Sequence, residues 1–410
     1  MNRLFSVVLA LAVFAPAIAS AAKQNLRFGK LEFQPYFKMS ETYDSNIYMV
    51  PDDLNGFQTG GGVRGAWIAE KKLSLNFRLP VSAIHSFKGG YEFQALTYST
   101  MSKTNDSYNQ SANLGYSYSG PTGFSGGLGD TYVNTTDPAF SESAAREHRW
   151  QNTVAAQGEY APKNGPLFFG ADFNHTVNKY VGFTVGRLLN RYDQTFGVKV
   201  GYKIQPKTRV LAAWHANVTH YADGANTRNS MSHLVDFAIE GRLAPKLEGR
   251  VQTGMSLRNY DNNSSSTTYS QNWTFGAQLT YKLLERATAI LSARRNLQES
   301  IFENNRFYIS NSFNLNYRHA LPLRLTATVD LGMTIDKFSE RTRFRPTGGT
   351  TFMEGNRRDD MYQQKVGLDY ALVEYLSIGA SYLHRQKFSI FSGQYNYNDH
   401  QASLNAMLTF

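Results

Sequence analysis

Residues 400–410, HQASLNAMLTF, alternate: Ala402, Leu404, Ala406, Leu408 and Phe410 are apolar, and Gln401, Ser403, Asn405 and Thr409 take the other parity. The same period recurs in LEFQPYFKM (Leu31, Phe33, Pro35, Phe37, Met39), in KLSLNFRLPVSA (Leu73, Leu75, Phe77, Leu79, Val81) and in TVDLGMTI (Val329, Leu331, Met333, Ile335). A period of two puts every second side chain on one face, the pattern of a strand rather than a helix. About eighteen such segments of roughly ten residues run along the chain, a length that suits strands crossing a bilayer at a tilt. Their connections alternate in length. Short turns are expected at 71–72, 120–123, 162–166, 205–208, 244–246, 284–286, 320–321 and 374–375. Between them fall polar stretches such as DSNIYMVPDDLNG, NTTDPAFSESAAREH and YADGANTRNS, the longest at 337–359.

Aromatic residues mark both ends of the apolar parity. Phe57 and Trp67, Tyr108 and Tyr118, Trp150 and Tyr160, Tyr192 and Tyr202, and Phe307 and Tyr317 are each ten residues apart; Tyr269 with Tyr281 and Tyr362 with Tyr370 vary the spacing. Ten residues at about 3.3 Å rise, tilted by roughly 40°, span on the order of 25 Å, the height of the apolar band between the two aromatic girdles of an outer-membrane barrel. The segment 233–243 lacks both aromatics.

Charge follows the same register. Arg64, Arg78, Lys199, Arg250, Arg258, Arg324 and Lys365, with Asp172, Asp236, Glu240 and Asp330, all fall on the polar parity. A Lys or Arg facing lipid at mid-depth costs about 2 to 4 kcal/mol, so this segregation fits an apolar parity that meets membrane. Glu41 and Arg295 break the rule near the long-loop ends of their segments, where the cost falls. The expected fold is all-β: a single transmembrane antiparallel β-barrel of about eighteen strands, with short periplasmic turns and long extracellular loops. Residues 1–21, with Arg3, an apolar run and small residues before Ala22, are expected to be a cleaved signal peptide, leaving 22–410 as the barrel domain of a bacterial outer-membrane protein. With both termini periplasmic the strand number is even, and the final strand closes against the first, 31–43, leaving no free edge.

Composition narrows the function. The chain has 410 residues without a shift that would divide it, no cysteine, 25 Tyr and 27 Phe, and yet a mean hydropathy of −0.42. Disulfides and thiolate metal sites are excluded. A barrel of this size encloses an aqueous lumen unless something fills it, so function is read from the inner parity. That parity is rich in Ser, Thr, Asn, Gln and Gly, shows no aromatic track, and carries a basic surplus in keeping with the formal charge of +10. Arg64, Arg78, Lys199, Arg250, Arg258, Arg324 and Lys365 are the candidate pore-lining residues, where a basic wall would enrich anionic solutes. The alternative is that they pair with Asp172, Asp236, Glu240, Glu248 and Asp369 and only brace the wall. Arg341, Arg343, Arg345, Arg357 and Arg358, in 337–359, are candidates for a constriction or for contacts with lipopolysaccharide phosphates. No His-x-Ser occurs, the nine histidines are scattered, and the Asp and Asn clusters lack the spaced ligands of a calcium loop. No enzyme activity, metal or cofactor is expected, and dispersed basic residues give no nucleic-acid site. Gly61, Gly65, Gly126 and Gly158 would permit close subunit contact, with the oligomeric state left open.

The stretch SETYDSNIYMVPDD, residues 40–53, resembles the opening motif of the putative beta-barrel porin type two family, whose members run through polar-aromatic hairpins to a carboxy-terminal Phe. The resemblance implies an outer-membrane channel associated with exopolysaccharide export. Phe410 at the end of an alternating strand resembles the signal read by the barrel assembly machinery, so the expected partners are that machinery, outer-membrane lipid and lipopolysaccharide, and, from the family resemblance, periplasmic polysaccharide-export components. A diffusion porin for small anionic solutes, or a structural or adhesive barrel without transport, remain the alternatives.

Overall fold

The computed structural model describes residues 26–51, 65–137, 147–181, 189–222, 228–261, 269–300, 305–344 and 353–410; the expected signal peptide, Arg64, Phe57, Gly61 and Arg345 lie outside them. A short strand β1 (Leu26–Phe28) turns back through Gly29, at φ +63°, onto β2 (Leu31–Asp44). There follow β3 (Ala66–Pro80), β4 (His85–Tyr98), β5 (Ser107–Ser119), β6 (Phe124–Thr135), β7 (Arg149–Tyr160) and β8 (Leu167–Tyr180). The middle of the chain forms β9 (Arg191–Gln205), β10 (Thr208–Tyr221), β11 (Ser230–Ala244), β12 (Leu247–Tyr260) and β13 (Tyr269–Leu284). The ring is completed by β14 (Ala287–Glu299), β15 (Phe307–Ala320), β16 (Leu325–Phe344), β17 (Met353–Val373), β18 (Leu376–Ser389) and β19 (Tyr397–Thr409).

From β2 onward each strand pairs antiparallel with the next, and β19 returns to β2 in the register Gln401 opposite Asp44 through Thr409 opposite Tyr36. The Phe410 amide donates to the Pro35 carbonyl at 3.1 Å, one step further along this seam. The result is a closed cylinder of 18 strands plus β1. Closure pairs each of the 18 barrel strands with a neighbour on both sides through the membrane-crossing part of the wall, as a hydrocarbon environment demands. Pairing between β13 and β14 stops at Phe275 opposite Arg295, so 269–274 are laddered only to β12. Among the described residues no helix is long and apolar enough to cross a membrane; the crossing elements are strands.

The apolar parity faces outward. Leu73, Tyr108, Leu128, Phe169, Phe237, Trp273, Val366 and Leu404 are exposed on that side, with Phe237 62% accessible. The aromatic pairs Tyr108 and Tyr118, Trp150 and Tyr160, Tyr192 and Tyr202, and Tyr269 and Tyr281 share it at or near the two ends of their strands, and Tyr362 and Tyr370 share it on the longer β17. On β11, which lacks aromatics at its ends, His233 stacks on Trp214 of β10 at 5.8 Å and 12°.

Three expectations are corrected. Residues 71–72 are not a turn: β3 runs through them, and the first short turn is 81–84. Lys72 faces inward to Glu92 at 2.9 Å, which a turn at this point would not allow. Trp67 consequently stands at the long-loop end of β3, against Tyr43, and its girdle partner on the same face is Phe77. Nor is 337–359 mainly loop. β16 and β17 continue past the membrane as a paired hairpin as far as Phe344 opposite Met353, with an irregularity between Lys337 and Arg341; residues 345–352 lie outside the described residues.

Candidate functional site

The inner parity of β7 to β12 carries a ladder of alternating charge. Glu159 lies 2.6 Å from both Lys199 and Arg209; Arg209 reaches Glu240 at 2.5 Å, and Glu240 meets Arg250 at 2.9 Å. Arg250 also donates to Gln252 at 2.7 Å and stands 3.9 Å from Asp236. His215 closes the series between Asp236 at 3.5 Å and Asp172 at 3.7 Å. Adjacent strands put same-parity side chains within reach, and alternation of sign turns that neighbourhood into cross-links. A smaller network does the same on β2 to β4: Glu70 holds Lys38 at 3.1 Å, Ser40 at 2.7 Å and Gln94 at 2.5 Å, while Glu92 takes Lys72 and Tyr36. Between the charged rungs Phe168, Leu211, Ala213 and Ala238 make an inward apolar cluster, with the Arg209 guanidinium 4.5 Å over the Phe168 ring. Gly201 leaves the space that ring occupies; a Cβ there would collide with it.

The candidate pore-lining residues therefore separate. Lys199 and Arg250 belong to the ladder and are each matched by a carboxylate. Arg258 is buried at the long-loop end against Glu299. Arg78 faces the lumen near the short-turn end of β3, exposed, directly opposite Lys88 of β4. Lys365 faces the lumen from β17, in register with Asp330. Neither Arg78 nor Lys365 forms an ion pair among the described residues. Arg324 is not within a strand: it occupies the 321–324 turn with φ +62°, its guanidinium 3.4 Å from the Leu372 carbonyl. Glu159, Arg209, Lys88 and Arg294 sit on the inner parity that alternation identifies but carry no further sequence signal, and the expected turn at 71–72 hides Lys72, which lies on the same parity.

At the long-loop end the inward side chains are buried. Asp359 joins Arg357 at 2.6 Å and Lys387 at 2.9 Å, and Asp399, which has no accessible surface, joins Arg385 at 2.7 Å. The Arg357 guanidinium stacks between Phe338 and Tyr395, 4.5 and 3.5 Å from the ring centres. The inner parity does carry aromatics at this level: Tyr98, Tyr180, Tyr221, Tyr260, Tyr308 and Phe338 all point inward and are buried. They ring the mouth without running down the wall.

The motif YDSNIY, residues 43–48, lies in the same collar. Asn46, with no accessible surface, donates through Nδ2 to the carbonyls of Val50 and Asn398 at 2.9 and 3.1 Å, and its Oδ1 accepts from the Val50 amide. Asp44 accepts from the Asn46 amide at 2.8 Å and from Gln401 of β19 at 2.8 Å. Ile47 packs with Ala66 and Tyr98, and Asn105 donates to the Tyr48 hydroxyl. The motif thus folds the start of the first long loop into the mouth and ties the β19–β2 seam. Its Asp and Asn side chains are consumed by these bonds. Among the described residues no group of three or more His, Asp or Glu is placed to hold a metal ion.

Comparison with known proteins places these features. No curated protein matches the sequence. Similar solved structures include the siderophore receptor PirA from Acinetobacter baumannii (8% identity, TM-score 0.43, covering 92% of this chain and 80% of that one). They also include the alcaligin outer membrane receptor FauA from Bordetella pertussis (12%, 0.44, 94% and 77%). Residues 170–410 match the family described as putative beta-barrel porin 2. That match runs from within β8 to the closing strand β19, more than half of the chain, and agrees with the closed cylinder and its outward apolar parity. The chain belongs to the putative beta-barrel porin 2 family, as an integral β-barrel of the Gram-negative outer membrane.

Proposed function

We propose that this barrel is the outer-membrane passage of an exopolysaccharide secretion system, through which a hydrophilic polymer threads along a hydrated lumen. The observation that carries the reading is the neutralised wall. On β7 to β12 every lumenal Lys and Arg of the ladder is matched by a carboxylate, so hydroxyl and amide groups such as Thr195, Asn217, Gln252 and Thr274 provide the remaining polar lining. Such groups donate and accept hydrogen bonds to a polyol without holding it by charge. The family membership supports the same assignment. No covalent step is involved. The test is deletion of the gene in a polymer-producing cell: released polymer should fall, with recovery on complementation. Unchanged release would overturn the proposal.

A second reading, a diffusion porin for small anions, is favoured by Arg78, Lys88, Arg294 and Lys365, lumenal cations without an ion pair among the described residues. Planar-bilayer recordings separate the two. A porin shows steady conductance and a reversal potential displaced toward anions.

A further inference from the structure

We propose that the outward face of the β16–β17 hairpin is a binding site for the phosphate groups of lipopolysaccharide, built on Lys337 and Arg358. The two residues are directly opposite each other in the ladder and point away from the lumen, because Ile335, Met333, Tyr362 and Val366 continue the same face downward into the apolar band. Like charges directly opposite on a sheet destabilise the pair unless an anion lies between them. Lys337 is exposed and has no ion-pair partner among the described residues. Arg358 is half exposed and shares Asp360 at 2.8 Å, which orients its guanidinium along the strand. Further from the membrane the same face adds Arg341, 76% accessible and only 3.9 Å from Glu354, and Arg343.

Height identifies the occupant. Tyr362 marks the outer girdle, packed edge-on against Phe388. Arg358 lies four residues beyond it, which at about 3.3 Å rise and roughly 40° tilt is on the order of 10 Å above the girdle. That is the level of headgroups, outside the hydrocarbon. The outer leaflet presents phosphorylated glycolipid at this height, and guanidinium groups match phosphate oxygens through paired hydrogen bonds. The inward neighbours Arg357 and Asp359 are engaged with each other, so the two faces of this hairpin divide the basic run of 357–358 between a structural and a binding task. The site does not depend on what passes through the lumen.

The test uses the full barrel purified in a neutral detergent, with bisphosphorylated lipid A as probe and retained lipid read by native mass spectrometry. The wild type should retain lipid A saturably, and the double variant Lys337→Gln, Arg358→Gln should lose at least tenfold in affinity. Lys337→Arg should keep binding, which separates a lost site from a misfolded barrel. Lys246→Gln with Arg286→Gln removes as many charges from short turns at the other end and should bind like the wild type. Equal binding by the Lys337, Arg358 double variant overturns the proposal. So does equal retention of dephosphorylated lipid A, equal retention of phosphatidylglycerol, or full competition by inorganic phosphate at matched concentration, each of which removes the glycolipid phosphate as the recognised group.

Discussion

The two ends of the lumen are made from the same inner parity and behave differently. Near the short turns Arg78, Lys88, Arg242, Glu248, Lys282 and Arg318 are inward and exposed. Near the long loops Asp44, Asn109, Ser232, Asp336, Asp359, Lys387 and Asp399 are equally inward and buried. The strand pattern assigns a side, and it treats both groups alike. What differs is that segments such as 45–51 fold into the outer mouth, so charges there must be satisfied by each other, whereas charges at the periplasmic mouth are satisfied by water. A pore-lining residue in the useful sense therefore comes from the short-turn end or the ladder.

The largest effect should come from stripping the buried end. Asp359→Ala leaves Arg357 and Lys387 without the carboxylate they share, and breaking a buried pair costs on the order of 3 kcal/mol or more. Heat- or urea-induced unfolding in micelles should show it, and a loss no greater than that of a surface variant would mean the mouth is wetter than the geometry implies. Asn46→Ala comes next. It removes three hydrogen bonds from a fully buried site at the seam and should cost about 1 to 3 kcal/mol by the same assay. Glu240→Gln tests the ladder between the two mouths. Glu240 joins Arg209 to Arg250, but both guanidiniums are partly solvated, so about 1 kcal/mol is expected at low salt and less at high salt. A loss independent of salt would place the ladder with the buried class. The smallest change in stability, within about 0.5 kcal/mol, should follow Arg78→Gln with Lys88→Gln at the exposed mouth. Their signature is instead a reversal potential moved toward cations.

The misreadings have physical causes. Two adjacent lysines at 71–72 resemble a turn because one of them must otherwise face lipid, and in the folded barrel Lys71 does share the outward face with Trp67, Leu73 and Leu75. Asp130 is a second outward charge that parity alone would have exposed; Asn152 on the neighbouring strand donates to it at 2.7 Å, which offsets part of the cost. The basic run 337–359 lacks a clean apolar parity, so it reads as loop. Its hairpin is held by cross-strand register and by Arg357 packed between two rings, both long-range. The inward Tyr98, Tyr180 and Tyr221 end their strands outside the apolar alternation, which is why they escape a search for an aromatic track.

The sequence by itself determined that this chain is a membrane-spanning cylinder, which side chains face lipid and which face water, and the order of short and long connections. Period two and the spacing of aromatics are local properties, written within ten residues, and a bilayer of fixed thickness reads them directly. Only the tertiary structure decided which inward charges are free. Whether Lys199 meets Glu159, or Arg357 meets Asp359 and Tyr395, depends on strand register, on twist and on loops folding into the mouth. Those contacts join residues far apart in the chain, and no periodicity records them.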